Sequence, residues 1–221
     1  MQRRPLTELN PQQKAQCLLE GVRELGESVL PWDTQSQQYW QRICCAGEWL
    51  SDLGFEAMAA DSLMTKACEW LLPALDGMSR LEQLKSLKLK SLLRDWLGWP
   101  LSARLDELLP ESLETPTGSR ARIEYQMGQA PLVAVKLQEM LGQVDSPRIA
   151  EGRVAVVVDL LSPARRPLQR TSDLRSFWQG AYTEVRKEMR GRYPKHYWPE
   201  DPLTAEPTRR LKKHLEQSSG R

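Results

Sequence analysis

Apolar residues recur at helical spacing through the first half of the chain. Asn10-Pro11-Gln12-Gln13 supplies a capping side chain, a proline suited to the first helical position, and a Gln placed to close a capping box. Ala15, Leu18, Val22 and Leu25 then share one face, and Gly26 ends the pattern. After the turn at Leu30-Pro31-Trp32, Asp33 is the next cap, ahead of Tyr39, Trp40, Ile43, Cys44, Gly47 and Leu50. Gly54 breaks that helix. A third starts at Asp61 or Ser62 and uses Leu63, Met64, Ala67, Leu71 and Leu75, with Pro73 kinking or ending it. Ser79 opens a short helix on Leu81 and Leu84. Leu89, Leu92, Leu93, Trp96 and Leu97 mark a longer one, and Leu101, Leu105, Leu108 and Leu109 another before Pro110.

Beyond Pro110 the period changes. Thr115-Pro-Thr-Gly-Ser119 is turn material. Ala121, Ile123 and Tyr125 alternate with Arg120, Arg122 and Glu124, which predicts a half-buried strand. Met127-Gly128-Gln129 closes a hairpin onto Leu132–Leu137, and Leu137–Leu141 forms a helical turn ended by Gly142. Val154–Val158 is a β-branched run that predicts a strand buried on both faces. Leu168-Gln169-Arg170 adds a short strand. Thr171 or Ser172 then caps a helix carrying Leu174, Phe177, Trp178, Ala181, Tyr182, Val185 and Met189 on one stripe, with Gly191 as its left-handed cap.

The fold class expected is α+β. It has a helical module over 1–110, then a small antiparallel sheet or open barrel with a packed C-terminal helix over 111–206, and a mobile basic tail over 207–221. Eight Trp against two Phe, mostly on helical patterns, read as core anchors.

Charge is distributed unevenly. Residues 165–221 hold 14 Lys/Arg against 7 Asp/Glu, a net of +7, whereas residues 1–164 hold 17 against 22, a net of −5. The C-terminal end therefore suits an anionic partner. Cys17, Cys44, Cys45 and Cys68 form no CxxC pair, which indicates free thiols in a reducing, cytoplasmic setting and no zinc site. The N-terminal stretch has no apolar segment of a signal peptide, and no apolar run reaches membrane-spanning length.

Catalytic and cofactor motifs are missing from the sequence. There is no Gly-Lys dipeptide for a phosphate-cradling loop, no GxGxxG, no GxSxG and no HExxH. The two histidines, His196 and His214, lie in a polar stretch without metal-ligand spacing. What remains is basic and aromatic. Arg165 and Arg166 sit between two prolines, and Arg190, Arg192, Tyr193, Lys195, His196 and Trp198 follow the last helix. Cations neutralise phosphates, and aromatic rings offer bases a stacking surface. The same residues also suit capping of a helix C-terminus and bracing of the segment.

Leu161–Gln169, Phe177–Tyr182, Glu184–Met189 and Arg190–His196 with Trp198–Pro202 resemble the C-terminal region of HrpB-type bacterial ATP-dependent RNA helicases of the DEAH/RHA group. Leu30-Pro-Trp32, Arg104–Leu108, Pro116–Ser119, Ile123–Tyr125 and Val135–Met140 fit the same region in the same order, so the resemblance runs from about residue 10 to 210. It implies an accessory region without catalytic or cofactor sites of its own. In such helicases ATP and Mg belong to two RecA-like domains, which carry the P-loop and are the natural partner in the same chain. Two departures stand out: Arg170, where an apolar strand residue is expected, and Tyr197 between His196 and Trp198.

Two functional expectations follow. In the first, the region binds RNA or single-stranded nucleic acid through Arg165, Arg166, Arg190, Arg192, Tyr193, Lys195, His196 and Trp198, with no membrane role. In the second, it is a structural module that docks on the helicase core and never touches nucleic acid.

Overall fold

The computed structural model describes residues 9–56 and 62–210. The candidate cap Asp61, the N-terminal residues read for a signal peptide and the tail beyond residue 210 lie outside them. Two compact units result, one of residues 1–107 with 126–128, the other of 108–125 with 129–221.

In the first unit the sequence-level caps form as the pattern requires. Helix α1 (Pro11–Leu25) starts at Asn10, whose side chain accepts from Gln13 N–H at 2.8 Å while Gln13 returns a bond to Asn10 N–H at 3.1 Å. Asp33 caps α2 (Thr34–Trp49) in the same reciprocal way with Ser36. The expected third helix is broken into α3 (Ser62–Thr65), α4 (Ala67–Trp70) and a 3-10 turn over Leu72–Leu75, the last starting where Pro73 has no N–H to give. Trp70 holds the break together by donating its indole N–H to Leu63 O at 2.7 Å. Leu81–Ser86 is 3-10, followed by α5 (Leu89–Leu97) and α6 (Leu101–Leu108).

The core of this unit contains a charge. Arg42 on α2 has a side chain only 2% exposed and pairs with Asp106 on α6 at 2.8 Å. Its guanidinium also lies 5.6 Å from the Tyr39 ring centre, and Arg94 reaches the other Asp106 oxygen at 3.3 Å. A cation in such a place is tolerated only while its partner is ionised and close. The neighbouring thiols of Cys44 and Cys45 are free, and burial pushes both up to about 12, so they stay protonated and inert at neutral pH.

The second unit is built on a five-stranded sheet in the order β1 (Ser112–Glu114), β2 (Arg120–Glu124), β3 (Leu132–Lys136), β6 (Val157–Leu161), β7 (Pro167–Thr171). A separate pair, β4 (Arg148–Ile149) and β5 (Val154–Ala155), lies in the chain between β3 and β6. The α+β expectation holds, but the sheet is mixed rather than antiparallel. The chain leaves β3 through a long connection over residues 137–156 instead of a tight turn, so β3 and β6 run parallel. The run Val154–Val158 is correspondingly shared between two sheets. Val156, fully buried, gives its N–H to Pro147 O, and β6 begins one residue later.

Along β6 burial alternates, with Val158 and Leu160 at 0% exposure and the intervening residues partly exposed. Arg170, unexpected for a strand, stands opposite Asp159 and donates to both its oxygens at 2.8 and 2.7 Å. That bidentate bond holds the Asp159 carboxyl below its ordinary range. The final helix is also divided, into α7 (Leu174–Gln179) and α8 (Tyr182–Arg192). Its cap is Asp173, and Gly191 lies inside α8, whose C-cap is Tyr193. The break at Gly180 lets Tyr182 meet Phe177 and Trp178 edge-on at 6.2 and 5.4 Å.

Asp106→Ala should destabilise the helical unit by about 2 kcal/mol, because it removes the carboxylate that balances a buried guanidinium and leaves the bond to Leu105 O to hold a charge. Urea denaturation of the variant against the unsubstituted chain measures this, and an unchanged midpoint would mean that Arg42 is satisfied without the carboxylate.

Candidate nucleic-acid interface

The basic and aromatic residues singled out by sequence fall into two stretches of the second unit. The first is the turn between β6 and β7. Pro163 occupies the position of a tight turn in which its fixed φ fits, and Arg165 N–H donates to Ser162 O at 2.9 Å. Ser162 N–H bonds Arg166 O at 2.8 Å, and Arg166 N–H bonds Ser162 Oγ at 3.0 Å. Arg165 must then take φ +60°, a left-handed conformation that usually falls to glycine in three-residue hairpin loops. An L-residue there costs about 1 kcal/mol.

The second stretch follows α8. Its prolines cannot give N–H groups to a ladder, so the chain from Tyr193 to Glu200 folds back along α8 on side-chain bonds. Tyr182 Oη donates to Pro199 O at 2.8 Å and Arg186 Nε to Trp198 O at 3.1 Å. Trp198 Nε1 donates to Tyr193 O at 3.0 Å, and Arg186 pairs with Glu200 at 3.0 Å. Burial raises the Tyr182 hydroxyl pKa, keeping that donor protonated. Beyond Glu200 the chain continues against the 137–143 segment. Gly142 N–H donates to Pro202 O and Thr208 N–H to Gln138 O, both at 2.9 Å. A side chain at Gly142 would meet Ala205 O at 3.3 Å, and its φ of +77° also favours glycine.

These bonds divide the eight candidate residues into two groups. Trp198 is 7% exposed with its indole N–H engaged, so it braces the segment and offers no face to a base. Tyr193 is half-buried and meets His196 edge-on at 6.0 Å. Burial, and then the Lys136 charge, lower the His196 pKa, so the ring is neutral at pH 7 and adds no cation. Its buried Nδ1 has no hydrogen-bond partner among the described residues.

By contrast Arg165, Arg166, Arg190, Arg192 and Lys195 are all exposed. Among the described residues their charged ends make no hydrogen bond or ion pair.

Lys136, not singled out by sequence, links the two stretches. It ends β3 directly beside Leu161, the residue before the Ser162 turn, and its charge is felt by His196. A lone Lys at a strand end gives no signal of this in sequence, because only the parallel register brings it beside the turn. Among the described residues no group of three or more His, Cys, Asp or Glu side chains is placed to hold a metal ion. No helix there is long and apolar enough to cross a membrane.

Comparison with known proteins agrees with this architecture. The family model of the ATP-dependent helicase C-terminal region, HrpB_C, matches residues 70–202. Over 210 residues the chain is 47% identical to the ATP-dependent RNA helicase HrpB of Escherichia coli K12, covering 95% of this chain and 26% of that protein. The crystal structure of the E. coli DExH-box NTPase HrpB superposes with a TM-score of 0.87 at 46% identity, covering 94% of this chain and 26% of the other. A second structure, of the E. coli DEAH/RHA helicase HrpB, gives 0.75 at 43% identity, with 90% and 25% covered. The chain thus spans about a quarter of the length of these relatives.

Trp198→Ala should cost about 3 kcal/mol through the cavity it leaves, and Trp198→Phe only about 1 kcal/mol for the lost hydrogen bond. Chemical denaturation of both variants tests the bracing role, and a destabilisation below the Phe value in Trp198→Ala would return the ring to a surface role.

Proposed function

This chain belongs to the HrpB-type ATP-dependent helicase C-terminal family, and from that premise we propose that it is an RNA-binding accessory region of such an enzyme. One observation supports this above the rest. Five exposed cations, Arg165, Arg166, Arg190, Arg192 and Lys195, have no internal partner among the described residues, although the chain carries 29 Asp and Glu. Cations used for internal docking would be paired, as Arg42, Arg170, Arg175 and Arg186 are. Unpaired cations are free to replace the counterions of a nucleic-acid backbone.

On this reading ATP with Mg belongs to the helicase core and not to this chain. The chain has no Gly-Lys loop in its sequence and no candidate metal group among the described residues. Nucleotide binding and hydrolysis are accordingly assigned to the parts of the longer relatives that this chain does not cover. Here the region adds affinity for RNA, held against the helicase core within one polypeptide in the cytoplasm.

A second reading, a docking module that never meets RNA, is favoured by Trp99. This indole is 84% exposed between Gly98 and Pro100, and a bare Trp is a frequent anchor of protein interfaces.

Titration of labelled single-stranded RNA at several salt concentrations should give a log–log slope of roughly −3.5, at about 0.7 for each of five phosphate contacts. Arg192→Ala with Lys195→Ala should make that slope shallower by roughly 1.4 while leaving the thermal midpoint unchanged. Absent binding at low salt, or binding indifferent to salt, overturns the RNA reading. In a full-length helicase carrying this region, faster proteolytic release of the region in Trp99→Ala, with RNA affinity unchanged, supports docking instead.

A further inference from the structure

The β6–β7 turn contains a residue that is unfavourable for folding. Arg165 adopts φ +60° at a loop position where glycine relieves the strain. Two other non-glycine residues of the described chain share the left-handed region, Ala150 and Glu151, and their loop is compensated. Ala150 is 1% exposed and donates its N–H to Leu108 O at 2.8 Å. Arg148 closes that loop by donating to Gly152 O at 2.6 Å and Arg153 O at 3.2 Å. The Arg165 side chain has no such return. It is exposed, and its guanidinium has no partner among the described residues.

The backbone beneath it is nevertheless firmly set. Pro163 and Pro167 flank the turn, three hydrogen bonds to Ser162 and Arg166 close it, and β6 enters it from a buried core. The turn thus presents two adjacent guanidinium groups from a backbone with little freedom to lose on binding. Its own residues, Ser162-Pro-Ala-Arg-Arg166, include no aromatic ring for a base to stack on, and Trp198, the largest aromatic candidate by sequence, is buried.

We infer that the β6–β7 turn is a base-independent phosphate site, in which Arg165 and Arg166 hold neighbouring phosphates of an RNA backbone and Arg165 is kept there against the conformational preference of the loop. The inference rests on the RNA reading given above and sharpens its chemistry: the ligand is recognised by charge and not by sequence. A strained, exposed residue with no internal role is a place where binding, rather than stability, accounts for the side chain.

Three variants of the chain test it: Arg165→Gly, Arg165→Ala and Arg165→Lys. Arg165→Gly should raise the thermal midpoint by about 2–4 °C over Arg165→Ala, because only glycine relieves the backbone. Both should lose about one phosphate contact, making the salt slope shallower by about 0.7. The affinity loss should be the same factor for oligo-U, oligo-A and DNA of equal length. Arg165→Lys should retain most of the affinity.

Unchanged RNA affinity in Arg165→Gly, while the unsubstituted chain still binds in a salt-dependent way, overturns this site and leaves the RNA reading standing. No binding by the unsubstituted chain overturns both. A loss confined to one base composition overturns base independence. A lower thermal midpoint in Arg165→Gly shows a structural role for the side chain and overturns the inference as well.

Discussion

The segment after α8 can form neither helix nor strand, since prolines interrupt it, yet its carbonyl groups are taken out of water. Buried carbonyls demand donors. Three side-chain donors answer that demand: the Tyr182 hydroxyl, the Arg186 guanidinium and the Trp198 indole. The course of residues 193–200 follows from where those donors stand on α8 and on the segment itself. So does the division of labour among the basic and aromatic residues. The rings and one arginine are used up in holding the segment, and the remaining cations are left outside.

The sheet sets the other half of the arrangement. Its buried face joins Ile123, Val133, Val135, Val158 and Leu160 into one apolar layer. That layer fixes the register of β6, and the register fixes which residue must turn the corner at Ser162. On the less buried face, Asp159 and Arg170 lie across from one another and clamp β6 to β7. The turn with Arg165 is therefore held on both sides by interactions that do not involve its own side chains.

Much of this was legible in the sequence because it is local. The capping box at Asn10, the cap at Asp33, the stripe of α1 as far as Val22, the stripes of α2 and α5, the β2 alternation and the short strand through Arg170 all rest on neighbours within a few residues. Leu25, by contrast, expected on the α1 stripe, is exposed. What escaped was non-local. The parallel pairing of β3 with β6 leaves no mark in a β-branched run, and Val154–Val158 reads the same whether it serves one sheet or two. The split at Gly180 reflects the demand of three rings for one cluster, which a helical stripe does not encode. For the candidate site, residue type left open whether the cations face solvent or dock internally, and the five that stand exposed are distinguished only by the folded chain. The role of Trp198 was not fixed by its residue type, because a Trp beside arginines looks alike whether it stacks outward or donates inward. Lys136 became relevant only through register, and the left-handed backbone of Arg165 is invisible in a Pro-Ala-Arg-Arg string.

The parallel seam between β3 and β6 also bears on how the second unit assembles. The β1–β2–β3 meander and the β6–β7 hairpin are each made of chain neighbours, so each closes a short loop. The seam joins Leu132–Lys136 to Val157–Leu161 across the whole 137–156 connection. Loop-closure entropy makes such pairings slow relative to hairpins. The unit is thus two quickly formed pieces awaiting one late joint, and the connection that spans it is also the surface on which α7 and the returning tail find their partners, through Ser146, Gln143, Gly142 and Gln138. Order in the chain beyond Glu200 is for that reason a downstream product of strand pairing. During synthesis the chain must emerge past β6 before the residues beyond Glu200 have the 137–143 segment to fold against.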